Sequence, residues 1–253
     1  MTKRNRQFTA KDIAYPALMC ALLLGGQYIF SFVAGVEIVT VLLVCFSAAF
    51  GARRGVVCAA AFSLLRCLIF GFYPNIVLLY LIYYPALAAL FGGLGHLKKE
   101  AFAKPLFAVI INVLLLGIAC ACLLLNVLDL IQISRLMKTT ITVLLWVTFA
   151  LTLALWIAFN ALLTVQRIGK KNAAELVRLV VFTALSATCT VCFTLLDDVI
   201  TPLFYGYTRG AALAYFYTSF TAMLPQTVCT VVTVGLLFLP LTKALETVKG
   251  KGG

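Results

Sequence analysis

GARRGVVCAAAFSLLRCLIFGFYPN, residues 51–75, decides how this chain is read. Arg53 and Arg54 stand in a short connection, and a seventeen-residue apolar run follows over 55–71. A helix over that run is about 25 Å long, slightly less than the hydrocarbon core of a bilayer, so it stands nearly upright or ends against other protein. Inside it lies Arg66. An arginine in a spanning helix is costly enough to require a partner, a water-filled cavity or a ligand. Three roles fit the sequence. Arg66 is about 7 Å from the outer end of its helix, within snorkelling reach. It could also pair with Glu37 on the preceding segment, or contact a ligand.

Composition sets the class. The chain is 64% hydrophobic and 11% charged, with a mean hydropathy of +1.10; a soluble domain carries about 25% charged residues. This is an all-α, polytopic membrane protein embedded in a lipid bilayer. The net charge of +12 does not point to nucleic acid, because most basic residues fall in short loops between apolar runs, where they report topology.

Eight spanning segments are predicted, at about 14–33, 36–50, 55–71, 76–95, 105–127, 139–166, 177–196 and 211–240. With the N-terminus in the cytoplasm, the inner segments hold Lys3, Arg4, Arg6 and Lys11; Arg53 and Arg54; Lys98, Lys99 and Lys104; Arg167, Lys170, Lys171 and Arg178; and Lys243, Lys249 and Lys251. That places sixteen of the twenty basic residues inside, which the positive-inside rule favours, and puts both termini in the cytoplasm. The N-terminal run is too long for a secretory signal and lacks its cleavage site, so it stays attached.

The outer connections differ in character. Residues 33–36, 72–75 and 196–210 carry prolines, glycines, aromatics and acids. Glu37, Arg66, Asn75, Tyr80, Asp197 and Asp198 share one outer layer by depth and form a candidate pocket. Tyr80, Tyr83 and Tyr84 are either pocket walls or interfacial belt residues, with at least one expected in the belt. Pro225 interrupts the last segment beside Gln226, an arrangement used both to line cavities and for packing alone.

Catalytic chemistry finds no support. There is no phosphate loop, no metalloprotease helix motif and no nucleophile elbow. All nine cysteines lie in apolar runs as small hydrophobes, and His96 is the single histidine, so neither a metal nor another cofactor is expected. On the first segment Ala17, Ala21 and Gly25 recur every fourth residue, making a smooth face for close helix approach within the chain or between chains.

The opening FTAKDIAYPALMCALLLGGQ, the short second segment from Glu37, FGARRG, GFYPN and LLYLIYYPALAALFGGLG occur in an order that resembles the substrate-binding S components of energy-coupling factor (ECF) transporters. The likeness covers residues 8–95, and more loosely SFTAMLPQTVCTVVTVGLLFLPLTKAL. It implies a vitamin-like small nutrient bound from outside, in the cytoplasmic membrane of a prokaryote. It also implies a transmembrane coupling subunit driven by two cytoplasmic ATPases, with Ala17, Ala21 and Gly25 docking on that subunit. Such components usually have six helices, so residues 104–171 read as an inserted hairpin within a single membrane domain. A membrane scaffold, or a secondary transporter coupled to protons through Glu37 or Asp197, is the competing reading.

The topology is tested by cysteine labelling in a cysteine-free variant. A cysteine at Gly206 is expected to react from outside intact cells, and one at Gly169 only after permeabilisation. The reverse pattern would remove the orientation.

Overall fold

The computed structural model describes residues 10–33, 35–127, 135–168 and 173–251. Lys3, Arg4, Arg6, Lys170 and Lys171 lie outside the described residues. The described residues form eight α-helices and no strand: α1 (Ala10–Phe30), α2 (Val39–Phe50), α3 (Ala52–Phe70), α4 (Pro74–Gly95), α5 (Pro105–Val127), α6 (Arg135–Arg167), α7 (Ala173–Tyr205) and α8 (Arg209–Lys251). A 3-10 turn, Lys99–Ala103, joins α4 to α5.

Six of these helices, α1 and α4 through α8, are long and apolar enough to cross a membrane, so this is a multi-pass helical bundle. The other two differ in kind. Helix α2 has 12 residues, about 18 Å, and α3 carries Arg53, Arg54 and Arg66 in 19 residues. Eleven of the twelve residues of α2 are buried. A helix that is apolar all round belongs inside protein, and α2 sits in the middle of the bundle, touching α1, α3, α4, α7 and α8.

Small residues let the neighbours close on it. Gly51, at φ +91°, turns the chain from α2 into α3. A Cβ on Gly55 would collide with Ser47, one on Gly92 with Ala52, and one on Gly95 with the Ala48 carbonyl. Backbones at such separation gain dispersion contacts along their whole length. Around this seam Phe46, Phe62, Phe91, Phe102, Phe182 and Phe238 fill the core, each less than 2% exposed.

Two expected boundaries are corrected. The chain does not leave α7 at residue 196; it stays helical through Pro202 to Tyr205 and ends at Gly206, at φ +62°. Asp197 and Asp198 are therefore helical residues and not loop residues. Helix α8 likewise runs through Pro225 and Pro240 to Lys251. It keeps one antiparallel register with α7. Asp198 meets Ser219, Thr190 and Thr230 share a hydrogen bond of 3.0 Å, Phe182 stacks 4.5 Å from Phe238, and Glu175 lies 3.9 Å from Lys243.

Helices α5 and α6 form a hairpin in which Asn160 Nδ2 donates to Asn112 Oδ1 at 2.9 Å. The hairpin leans on α7 and α8 and makes a layer beside the other six helices. At the basic end, Arg54 Nε donates to Asp12 Oδ1 at 2.8 Å, Lys99 pairs with Glu175 at 3.4 Å, and Lys249 Nζ donates to the Ala49 carbonyl at 2.7 Å. That last bond satisfies a carbonyl which the end of α2 leaves without a helical partner.

Two glycines two positions apart, but opposite in surroundings, test the seam. Gly95→Ala overpacks against Ala48 and is expected to cost about 1–3 kcal/mol. Gly93 has nothing within 4 Å of its Cβ position, so Gly93→Ala is expected to stabilise by up to about 1 kcal/mol. Thermal unfolding in detergent reads both; equal shifts would remove the close approach of α4 to α2.

Candidate functional site

At the end opposite the basic cluster, residues 35–38 fold back over α8. Gly35 has φ +83°, and a Cβ there would lie 2.7 Å from the Pro225 side chain, so glycine alone lets this loop rest on the proline. Two residues on, the Glu37 amide donates to Cys229 Sγ at 3.4 Å. The Thr40 hydroxyl donates to Glu37 Oε1 at 2.7 Å. The carboxylate is thereby held at the start of α2, where the helix dipole favours negative charge.

Arg66 faces it from α3. Its guanidinium carbon lies 4.4 Å from the Tyr80 ring centre and 5.3 Å from that of Phe70. A cation over an aromatic face gains about 2 kcal/mol when both are withdrawn from water. The Nε of Arg66 is buried with no hydrogen-bond partner. Among the described residues there is no ion pair between Arg66 and Glu37, so the structural pair entertained from the sequence is not what holds the arginine here.

Between them lies a cavity of about 290 Å³, lined by Gln27, Glu37, Arg66, Tyr80, Phe193 and Gln226 among others. Tyr80, Tyr83 and Tyr84 are all buried. They surround Phe193 at ring distances of 5.7, 4.8 and 6.0 Å. None of the three is a belt residue: the side of α4 that carries them turns toward α7 and not toward lipid. A second cavity of about 220 Å³ holds Asp197, Tyr215, Thr218 and Ser219, and it shares Phe193 and Gln226 with the first.

The six proposed substrate contacts thus separate. Glu37, Arg66 and Tyr80 line one cavity and Asp197 lines the adjoining one. Asp198 stands beside the second cavity, its Oδ2 accepting from Ser219 at 2.8 Å while its Oδ1 is buried with no partner. Asn75 lines neither cavity. Its Nδ2 donates to Thr201 Oγ1 at 3.0 Å and its Oδ1 accepts from Tyr205 at 3.3 Å. Thr201 in turn donates to Asp197 Oδ1, and Tyr215 donates to Asp197 Oδ2, each at 2.7 Å. Asn75 belongs to a polar chain that ties α4 to α7 and sets the Asp197 carboxylate in place.

Gln27, Gly35, Phe193, Tyr215 and Ser219 were not singled out from the sequence. Gln27 had a signal, being a polar residue in an otherwise apolar stretch. Phe193 had none, because a phenylalanine in an apolar helix looks the same whether it faces lipid, core or cavity. The stripe of Ala17, Ala21 and Gly25 is exposed on α1, and nothing lies within 4 Å of the Gly25 Cβ position. Packing inside this chain therefore does not use that face. No group of three or more His, Cys, Asp or Glu able to hold a metal occurs among the described residues.

Comparison of the chain with protein-family models, curated proteins and solved structures gave no match.

The polar chain is tested at its middle. Thr201→Val keeps the shape but leaves the Asn75 amide and one Asp197 oxygen short of a partner, at an expected cost of about 1–3 kcal/mol. Thr188 donates only to the Ala184 carbonyl of its own helix, at 2.9 Å, and Thr188→Val is expected to be near neutral. Equal thermal shifts in detergent would show that the chain is not structural.

Proposed function

We propose that this protein is the substrate-capturing membrane subunit of an ECF-type importer, binding a small nutrient from the outside and passing it on through a coupling subunit driven by two ATPases. The observation that carries the reading is the 290 Å³ cavity. It holds an acid and a base that do not neutralise each other, walled by tyrosines, at the end of the bundle remote from the lysine and arginine cluster. Small-molecule sites have this form: a mainly apolar concavity with a few fixed polar groups. An unpaired carboxylate and guanidinium in a membrane protein are costly unless water or a ligand occupies the space between them.

In this reading the basic end is cytoplasmic, both termini lie there, and α2 and α3 cross the membrane along with the six longer helices. Helix α2 crosses despite its length because it is shielded by protein on all sides. The α5–α6 hairpin is an added layer that leaves the order of inner and outer ends unchanged. The smooth face of Ala17, Ala21 and Gly25, turned away from the bundle, supports docking of a second membrane subunit through close backbone approach.

The decisive experiment pairs two surfaces. Ala17→Trp and Ala21→Trp are expected to abolish uptake and co-purification with the coupling subunit while ligand affinity stays intact. Arg66→Ala is expected to keep the partner and lower affinity ten- to a hundredfold, the loss of one charge-assisted contact of about 1.5–3 kcal/mol. Normal transport by the tryptophan variants would remove the importer reading and favour a self-contained transporter. Wild-type affinity in a folded Arg66→Ala protein would remove the cavity as the binding site.

A further inference from the structure

The two cavities at the outer end are neighbours that share a wall, and their chemistries differ. The first offers Arg66 as a donor and Glu37 as an acceptor, with Gln27 and Gln226 adding amide groups. The second has one charged residue in its lining, Asp197, surrounded by the hydroxyls of Tyr215, Thr218 and Ser219 and the side chain of Thr194. Phe193 and Gln226 stand in both. Resting on the reading above, we propose that the two cavities form one bipartite site for an amine. The protonated amino group sits at Asp197, the body of the molecule passes the Phe193 ring and the Gln226 amide, and a second group able both to accept and to donate hydrogen bonds sits between Arg66 and Glu37.

Charge selects the amine. The second cavity has Asp197 in its lining and no basic side chain, while Glu37 and Arg66 in the first are opposite in sign. A carboxylate with no cationic neighbour in a low-dielectric cavity favours a cation and disfavours an anion. Asp197 already accepts from Thr201 and Tyr215, which orients the carboxylate without neutralising it, and each oxygen keeps a further lone pair for an ammonium. Asp198 stands next to it with one oxygen that is buried and without a partner. The second chamber therefore has acceptors and negative charge but no basic side chain to hold an acid.

Arg66 and Glu37 select what lies at the other end. Because the guanidinium is stacked on Tyr80 and not bonded to Glu37, its N–H groups can be offered to a carbonyl or ring nitrogen of the ligand. The Glu37 carboxylate, held by Thr40, accepts from an N–H or O–H next to that atom. An amide or a heteroaromatic edge meets both requirements; a simple carboxylate would satisfy Arg66 and be repelled by Glu37. Stacking on Phe193 and the tyrosine cluster adds a preference for a flat body.

The test uses the full-length protein purified in detergent and three fractions of a deproteinised yeast extract. The first contains amines retained on a cation exchanger in acid, the second acids lacking an amine, and the third neutral molecules. Thermal stabilisation is read for each. Stabilisation by the amine fraction alone is expected. It should be lost or reduced at least tenfold in potency in Ala222→Phe, which fills the second cavity and keeps every carboxylate of the chain, and in Asp197→Asn. Stabilisation by the acidic or neutral fraction overturns the amine assignment and leaves the capture subunit standing. No stabilisation by any fraction overturns both. If the amine fraction stabilises the wild type and Ala222→Phe equally, the second cavity is not part of the site and the bipartite arrangement is wrong.

Discussion

A guanidinium inside an apolar bundle must be accommodated, and the contact between Arg66 and Tyr80 is how this protein accommodates it. Helix α3 brings the charge to the end of the bundle remote from the basic cluster, and α4 supplies an aromatic face 4.4 Å away. The interaction offsets part of the desolvation cost and leaves the Nε of the arginine without a hydrogen-bond partner. An ion pair with Glu37 would have removed the cost more fully. It would also have closed the cavity between α1, α2, α3 and α8, so the weaker partner is the one compatible with a site.

That contact depends on how near α3 and α4 stand to each other. Ser63 donates to the Ala59 carbonyl of its own helix and to the Tyr80 carbonyl across the gap, at 2.8 and 3.0 Å. Further toward the basic end, Gly92 lies against Ala52 and Gly95 against Ala48. Small residues draw α2, α3 and α4 together over their lower halves, and bulky tyrosines spread them at the top. A bundle that is tight at one end and wedged by aromatics at the other opens a cavity at the wedged end. The same logic applies to α8, where Pro225 removes one backbone donor and the loop through Gly35 occupies the space beside it.

The two ends of the molecule thus have different work. At the basic end several charges are paired, Arg54 with Asp12, Lys99 and Lys243 with Glu175, and Lys249 with a helix carbonyl, while Arg178 lies over Phe182 and Phe238 with its Nε buried and unpartnered. At the other end Glu37, Arg66 and Asp198 keep bonding capacity that the protein does not use. Unused capacity in a low-dielectric setting is expensive to maintain; Gln27, Arg66 and Asp198 hold it around the two adjoining cavities, and Ser47, Asn126, Trp156, Gln166, Arg178 and Ser186 hold it elsewhere in the bundle.

Much of this was legible in the residues alone. Apolar runs, flanking charges and glycine breaks are properties of a chain segment by itself, because the cost of leaving a peptide group or a charge in hydrocarbon does not depend on which neighbours the segment later acquires. They determined an all-helical, multi-pass protein, the order of its helices, and a common depth for Glu37, Arg66, Tyr80 and Asp197 at one end of it. Lateral placement is different. Hydropathy scores a residue the same whether it is transferred to lipid or to protein, so only the tertiary structure decided that α2 is enclosed and that Tyr83 and Tyr84 turn inward. It alone showed that Ala17 and Ala21 face out, and that Asn75 bonds a threonine 126 positions away instead of lining the cavity. Which side of a helix meets which neighbour is set by the packing of all the helices at once, and no single stretch of sequence contains it.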